Sequence, residues 1–258
     1  MPNLSIAWVL LAASIVIAFS SAGASDSSCR NEEFQENSYT VCSFDPRVDD
    51  LRIFWRDQGG APFRTFSALA DGVAARNGDL AFAMNGGMYQ ENFSPIGLLI
   101  IAGVELKPAN TVDISGDVVP NFYKKPNGVF FIGDSKVGIQ ETERFLHTPP
   151  EAKFATQSGP MLVIDGIIHP AFIEGSPSRK PRNGVGVSGP HEVHFVLSQG
   201  RVNFDEFARF FRDRLGADNA LFLDGGSAPG IFAPDLGRND PPGHGGYGPI
   251  IGVVGDKP

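Results

Sequence analysis

The chain has 258 residues, with 21 basic and 29 acidic side chains and a formal net charge of −8. That balance excludes a nucleic-acid partner, which needs a dense basic surface to displace counterions, and a 42% hydrophobic fraction excludes wholesale disorder. With 31 Gly, 20 Pro and 21 Phe, the composition points to a sheet-rich globule with short connections and not to a helical bundle.

Ile6 to Phe19 is an apolar run of 14 residues, followed by Ser20, Ser21 and Ala22-Gly23-Ala24. A short apolar stretch ending in Ala-x-Ala reads as a secretory signal peptide over residues 1–24, although no Lys or Arg precedes it. The alternative is an uncleaved anchor, for which the run falls short of the ~20 residues that cross a bilayer. Residues 25–258 then form one exported domain, secreted or periplasmic, with no stable membrane insertion after cleavage. The only cysteines, Cys29 and Cys42, are read as a disulfide that ties the first strand (Tyr39 to Phe44) to the new amino terminus.

Ser67 is the predicted cap of a first helix through Leu69, Val73 and Arg76, with Gly78 past its end. Hairpin turns are predicted at Ala102-Gly103, at Gly133 to Lys136, at Asp165-Gly166 and at Gln199-Gly200. Several flanking strands are apolar at successive positions, as expected of strands covered on both faces. Asn203 and Glu206 read as a capping box for a second helix, Phe204 to Leu215, with Gly216 as its stop.

The two helices share a continuation. The first leads to Leu80-Ala81-Phe82-Ala83-Met84 and then Asn85-Gly86-Gly87; the second leads to Ala220-Leu221-Phe222-Leu223 and then Asp224-Gly225-Gly226. The repetition predicts equivalent strands of one sheet, with Asn85 and Asp224 close together beyond their carboxyl ends, where α/β sheets carry ligands. Paired glycines there let backbone N–H groups approach an anion; the competing reading is two plain tight turns. The basic stretch Ser176 to Gly184 offers Arg182 for a bidentate anion contact, against the alternative of a solvated loop. His191-Glu192-Val193-His194 lacks the spacing of a zinc helix, and no P-loop or dinucleotide fingerprint occurs, so no metal or cofactor is expected.

Five stretches in order resemble the phosphodiester glycosidase family, especially its small bacterial branch long known as a domain of unknown function. They are Ala83 to Tyr89 with Ser94 to Leu98, Gln157 to Leu162, Arg182 to Gly186, Val202 to Ala208, and Leu221 to Ser227. The resemblance covers roughly Phe44 to Val254. It departs at Ser227-Ala228-Pro229, where many relatives read Gly-Ser-Ser. The expected fold is α/β (α+β): a mixed, hairpin-rich β-sheet core with two principal helices in a single domain.

The resemblance implies hydrolysis of the sugar C1–O bond of a glycosyl (GlcNAc-like) phosphodiester, giving free sugar and a phosphomonoester. Its transition state resembles an oxocarbenium ion, and positioned donors stabilise the departing phosphate. Asp224 is assigned as base or nucleophile. Asn85 with the N–H groups of Gly86 and Gly87 orients substrate, and Arg182 holds the phosphate. Glu91 is the candidate second carboxylate, and Ser158, Gly159, Gly225, Gly226 and Ser227 complete the binding set. The segment Asp235 to Pro249, with His244 and Tyr247, reads as a surface connection or a lid. Two other readings stay open here: a non-catalytic binder of sugar-phosphate polymers, and a phosphodiesterase that cuts P–O.

Overall fold

The computed structural model describes Met1 and residues 28–116 and 118–256. The leader predicted over residues 1–24 therefore lies, Met1 apart, outside the described residues. Among those residues no helix is long and apolar enough to cross a membrane.

The strands build three sheets. The largest contains, in spatial order, β1 (Cys29–Phe34), β2 (Asn37–Phe44), β13 (Val193–Ser198), β12 (Arg182–Val187), β14 (Asn219–Gly225), β10 (Met161–Ile164) and β11 (Ile167–Ile168). The second runs β16 (Arg238–Asn239), β15 (Ile231–Ala233), β4 (Gly78–Asn85), β17 (Ile250–Asp256) and β3 (Asp50–Phe54). The third runs β6 (Val104–Lys107), β5 (Leu99–Ile101), β9 (Phe154–Ser158), β7 (Gly128–Ile132) and β8 (Val137–Glu141). The α+β class and single domain stand, and the pairings within these sheets are antiparallel throughout, not mixed.

All three sheets turn one face to a common core, where Phe44, Phe82, Phe130, Phe195, Leu221 and Ile251 meet. A helix covers each outer face: α1 (Phe66–Ala74) on the second sheet, α2 (Thr142–His147) on the third and α3 (Phe204–Arg209) on the first. Strands β12 and β13 are buried along their whole length between core and helix, which is why their apolar residues run without alternation.

Local signals predict most of these elements. The Asn203/Glu206 capping box is formed, and α3 continues as a π-helical turn over Phe210–Arg214 before Gly216 at φ +66°. Asp165 and Gly166 both take positive φ between β10 and β11, as a two-residue hairpin turn requires. Three expectations are corrected. The cap of α1 is Thr65, whose hydroxyl accepts from Ala68 N at 3.1 Å, because starting there aligns Phe66, Leu69 and Val73 as one buried stripe. Gln199-Gly200 makes no hairpin: the chain bridges Lys180 through Val202 and enters α3. Strands β4 and β14 belong to different sheets, since β4 pairs with β15 and β17 while β14 pairs with β12 and β10.

Cys29 and Cys42 stand opposite one another in the β1–β2 ladder and are disulfide-bonded. Beyond the ladder's own bonds, the link restrains the unfolded chain. Replacing both with Ala is expected to cost about 3 kcal/mol, read as a lower urea midpoint. An unchanged midpoint would mean that the ladder alone holds the first strand.

Candidate active site

Although they leave different sheets, β4 and β14 converge. Asn85 ends β4 and is fully buried. Between it and Asp224 lies Asn183 of β12, also fully buried. The Asn183 side chain donates Nδ2–H to Asn85 Oδ1 at 2.9 Å and accepts the Asp224 backbone N–H on Oδ1 at 2.9 Å. Asn85 Oδ1 accepts a second bond from Gly230 N at 2.9 Å. Because Asp224 N and Gly230 N can only donate, they fix which end of each amide is oxygen. Asn85 Nδ2 is left with no acceptor among the described residues.

Asp224 is partly buried, and its carboxylate takes the N–H of Gly225 at 2.7 Å. Burial pushes its pKa up to about 6, and the Gly225 donor offsets only part of that. The carboxyl faces a hollow of about 470 Å³ lined by Tyr89, Gln90, Glu91, Phe93, Ala228 and His244 as well. Tyr89 donates its hydroxyl to Gly246 O at 2.9 Å; burial, then the Asp224 charge, pushes its pKa up to about 12. At the mouth, exposed Ser227 shares a 2.7 Å hydrogen bond with His244 Nε2. Arg64 lies over the Phe93 ring at 4.5 Å and donates to Gly245 O at 2.7 Å. The predicted candidates Asp224 and Glu91 thus share one hollow, Ser227 reaches its His244 wall, and Asn85 is joined to Asp224 through Asn183.

Other predicted residues have different work. Arg182 is only 2% exposed; Nε donates to Val202 O at 2.9 Å and Nη2 to Ser178 O at 3.1 Å, while the guanidinium stacks on Phe204 at 3.6 Å. It does not line the Asp224 hollow, because these carbonyls and the Phe204 ring hold its guanidinium elsewhere. Ser158 is fully buried and donates to Leu223 O at 2.6 Å, so it anchors the end of β14. The Gly86 N–H goes to Pro249 O at 2.8 Å and is unavailable to an anion. Gly159 is buried against Asn127, and half-buried Gly225 leaves no room for a Cβ beside the Phe222 ring. Gly226 alone of the site glycines takes positive φ, at +78°, and gives its N–H to Pro181 O at 3.1 Å.

Gly87 is present for close approach: a Cβ there would fall 2.4 Å from Gln157 O and 2.5 Å from Thr156 Oγ1. Gly87→Ala is therefore expected to destabilise by about 2–3 kcal/mol, measured by urea unfolding; wild-type stability would show that β9 yields freely.

Sequence reasoning passed over Asn183 and Tyr89, although both sit in motifs it singled out. The available signal for Asn183 was a polar residue opening an otherwise apolar, doubly covered strand, where only a strong hydrogen-bonding need keeps an amide. Among the described residues, no three His, Cys, Asp or Glu side chains lie close enough to hold a metal ion.

The family model described as phosphodiester glycosidase matches residues 78–254, a span that includes Asn85, Asn183 and Asp224. The uncharacterized protein YigE of Escherichia coli is 34% identical over 225 residues, covering 87% of this chain and 85% of its own. In fold, the chain is similar to the catalytic domain of zebrafish N-acetylglucosamine-1-phosphodiester alpha-N-acetylglucosaminidase, auto-inhibited by its pro-peptide. That likeness has a TM-score of 0.56 at 15% identity over 87% of this chain and 81% of that one. A hypothetical protein from Synechocystis is similar with a TM-score of 0.52 at 16% identity, over 88% of this chain and 61% of that one. The match over most of the chain, falling on the strands that bring Asn85, Asn183 and Asp224 together, shows that the protein belongs to the phosphodiester glycosidase family.

Proposed function

We propose that the protein is an exported hydrolase that cleaves the sugar C1–O bond of a glycosyl phosphodiester, of the N-acetylglucosamine kind. The observation that carries this reading is Asp224, a carboxyl with its pKa pushed up to about 6, at the wall of an open hollow. The substrate named for the zebrafish relative supports the sugar and the bond. The Cys29–Cys42 disulfide and the apolar leader support export.

The C1–O bond breaks with its electron pair leaving on the phosphate, and water supplies OH to C1. Asp224 either attacks C1 directly or takes the water's proton; both roles need its ionised form. Phosphate is a weakly basic leaving group, so stabilising its charge counts for more than protonating it. Arg64, Ser227 and His244 at the mouth serve that need, in place of Arg182. Glu91 is the second carboxylate of the hollow. Asn85 acts through Asn183, whose amide oxygen holds the Asp224 backbone N–H.

Hydrolysis of UDP-GlcNAc or another GlcNAc-1-phosphodiester in ¹⁸O-water tests the reading. Label is expected in the free sugar; label in the phosphomonoester, or no product, overturns it. With Arg64→Gln, KM should rise about tenfold while kcat changes less, as for loss of one charge-assisted contact to phosphate. An unchanged KM would remove Arg64 from the phosphate site.

A further inference from the structure

A larger cleft, about 640 Å³, lies between the 113–125 segment and α3 and shares no lining residue with the Asp224 hollow. Its wall is a stack of His169 on Phe172 at 4.7 Å and Phe172 on Phe204 at 4.9 Å, with the buried Arg182 guanidinium over the Phe204 ring at 3.6 Å. Lys124 Nζ sits 5.5 Å from the same Phe204 ring. Its pKa is lowered by burial and then by the neighbouring Arg182 charge.

Two carboxylates, Asp113 and Asp205, line the cleft, and both are already paired with cations. Asp205 pairs with Arg209 at 2.7 Å and Asp113 with Lys125 at 3.7 Å; Glu206, the one carboxylate acting on Arg182, is bound by Arg179. Lys124 gives one hydrogen bond to Asn121 Oδ1 at 3.0 Å. An ammonium has three N–H donors, so two remain to receive an oxyanion.

We propose that this cleft is a second ligand site, for an organic phosphate whose phosphate meets Lys124 and whose planar or apolar part lies against Phe172 and Phe204. Lys124 selects the anion, and the aromatic wall distinguishes an organic phosphate from the inorganic ion. A nucleotide base and an alkyl chain are the two sources of that apolar part.

Calorimetric titration of the mature protein with phenyl phosphate, octyl phosphate and inorganic phosphate tests the site. Either organic phosphate is expected to bind about tenfold tighter than inorganic phosphate. The tighter of the two identifies the planar or the alkyl source. Lys124→Gln should weaken binding about tenfold or more, whereas Asp224→Asn should leave it unchanged. In the wild-type protein, the NMR-observed titration of the Lys124 amine should move upward when ligand is added, a response that a merely structural lysine lacks. Equal affinity for all three probes, a loss with Asp224→Asn but not Lys124→Gln, or a Lys124 titration indifferent to ligand would overturn the proposal.

Discussion

Asp224→Asn is expected to reduce kcat by about a thousandfold or more while KM changes little, because in the proposed reaction it removes the carboxylate that attacks C1 or takes the water's proton. The substitution is nearly isosteric, and an amide oxygen can still accept the Gly225 N–H, so the fold is retained. In the wild-type protein, the proposed activity should fall as pH drops through about 6, where burial holds the Asp224 proton. The effect on stability runs the other way. The folded pKa of about 6 lies above the ordinary 3.8, so the native state holds this proton more tightly than the unfolded chain does. This group's contribution is therefore most favourable below about pH 4 and is lost as pH rises through about 6. Asp224→Asn should accordingly stabilise the protein by about 1–3 kcal/mol at pH 8 and by little at pH 4. Urea unfolding at the two pH values, beside steady-state kinetics, checks both halves. A variant that keeps wild-type kcat would end the assignment of Asp224, whatever its stability.

Asn183→Leu is expected to be the most damaging change outside the carboxylates. It strips Asp224 N and Asn85 Oδ1 of their shared partner in a fully buried place. Asn85 Oδ1 keeps the Gly230 N–H, but leaving Asp224 N unpaired should cost about 1–3 kcal/mol. Freeing the end of β14 should lower kcat about a hundredfold, more than it raises KM, because the reacting carboxylate loses its placement. Asn183→Asp separates placement from simple loss of stability. It keeps an oxygen for Asp224 N but sets a second acid beside the first, so the pH at which activity falls should move upward. An Asn183→Leu protein with wild-type kcat would show that Asp224 is positioned by other means.

The disulfide, the α3 capping box and the Asp165-Gly166 turn were open to reading from the chain because each rests on a local rule. A capping box is complete within four residues, and a two-residue turn carries its own backbone preference. The likeness of the segments ending in Asn85 and Asp224 was also visible, and it led to the right convergence by a wrong route, since the strands occupy different sheets. Their joining depends on Asn183, 98 residues from one partner and 41 from the other. No pattern within a short window specifies such a contact.

Arg182 shows most clearly where the linear order stops being informative. Composition and motif place a guanidinium in a basic stretch, ready for an anion, but say nothing of its direction. That is set by the bulge between β12 and β14, by Phe204 beneath the guanidinium, and by two carbonyls that only the folded chain brings within reach. Glycine is equally ambiguous in one dimension: Gly226 bends the backbone, whereas Gly87 makes room for β9. Short-range propensity and pairing chemistry thus settled many of the elements and the disulfide. Long-range packing decided which polar groups are consumed inside the protein and which still face a hollow, because desolvation and hydrogen-bond saturation are properties of neighbours distant in the chain.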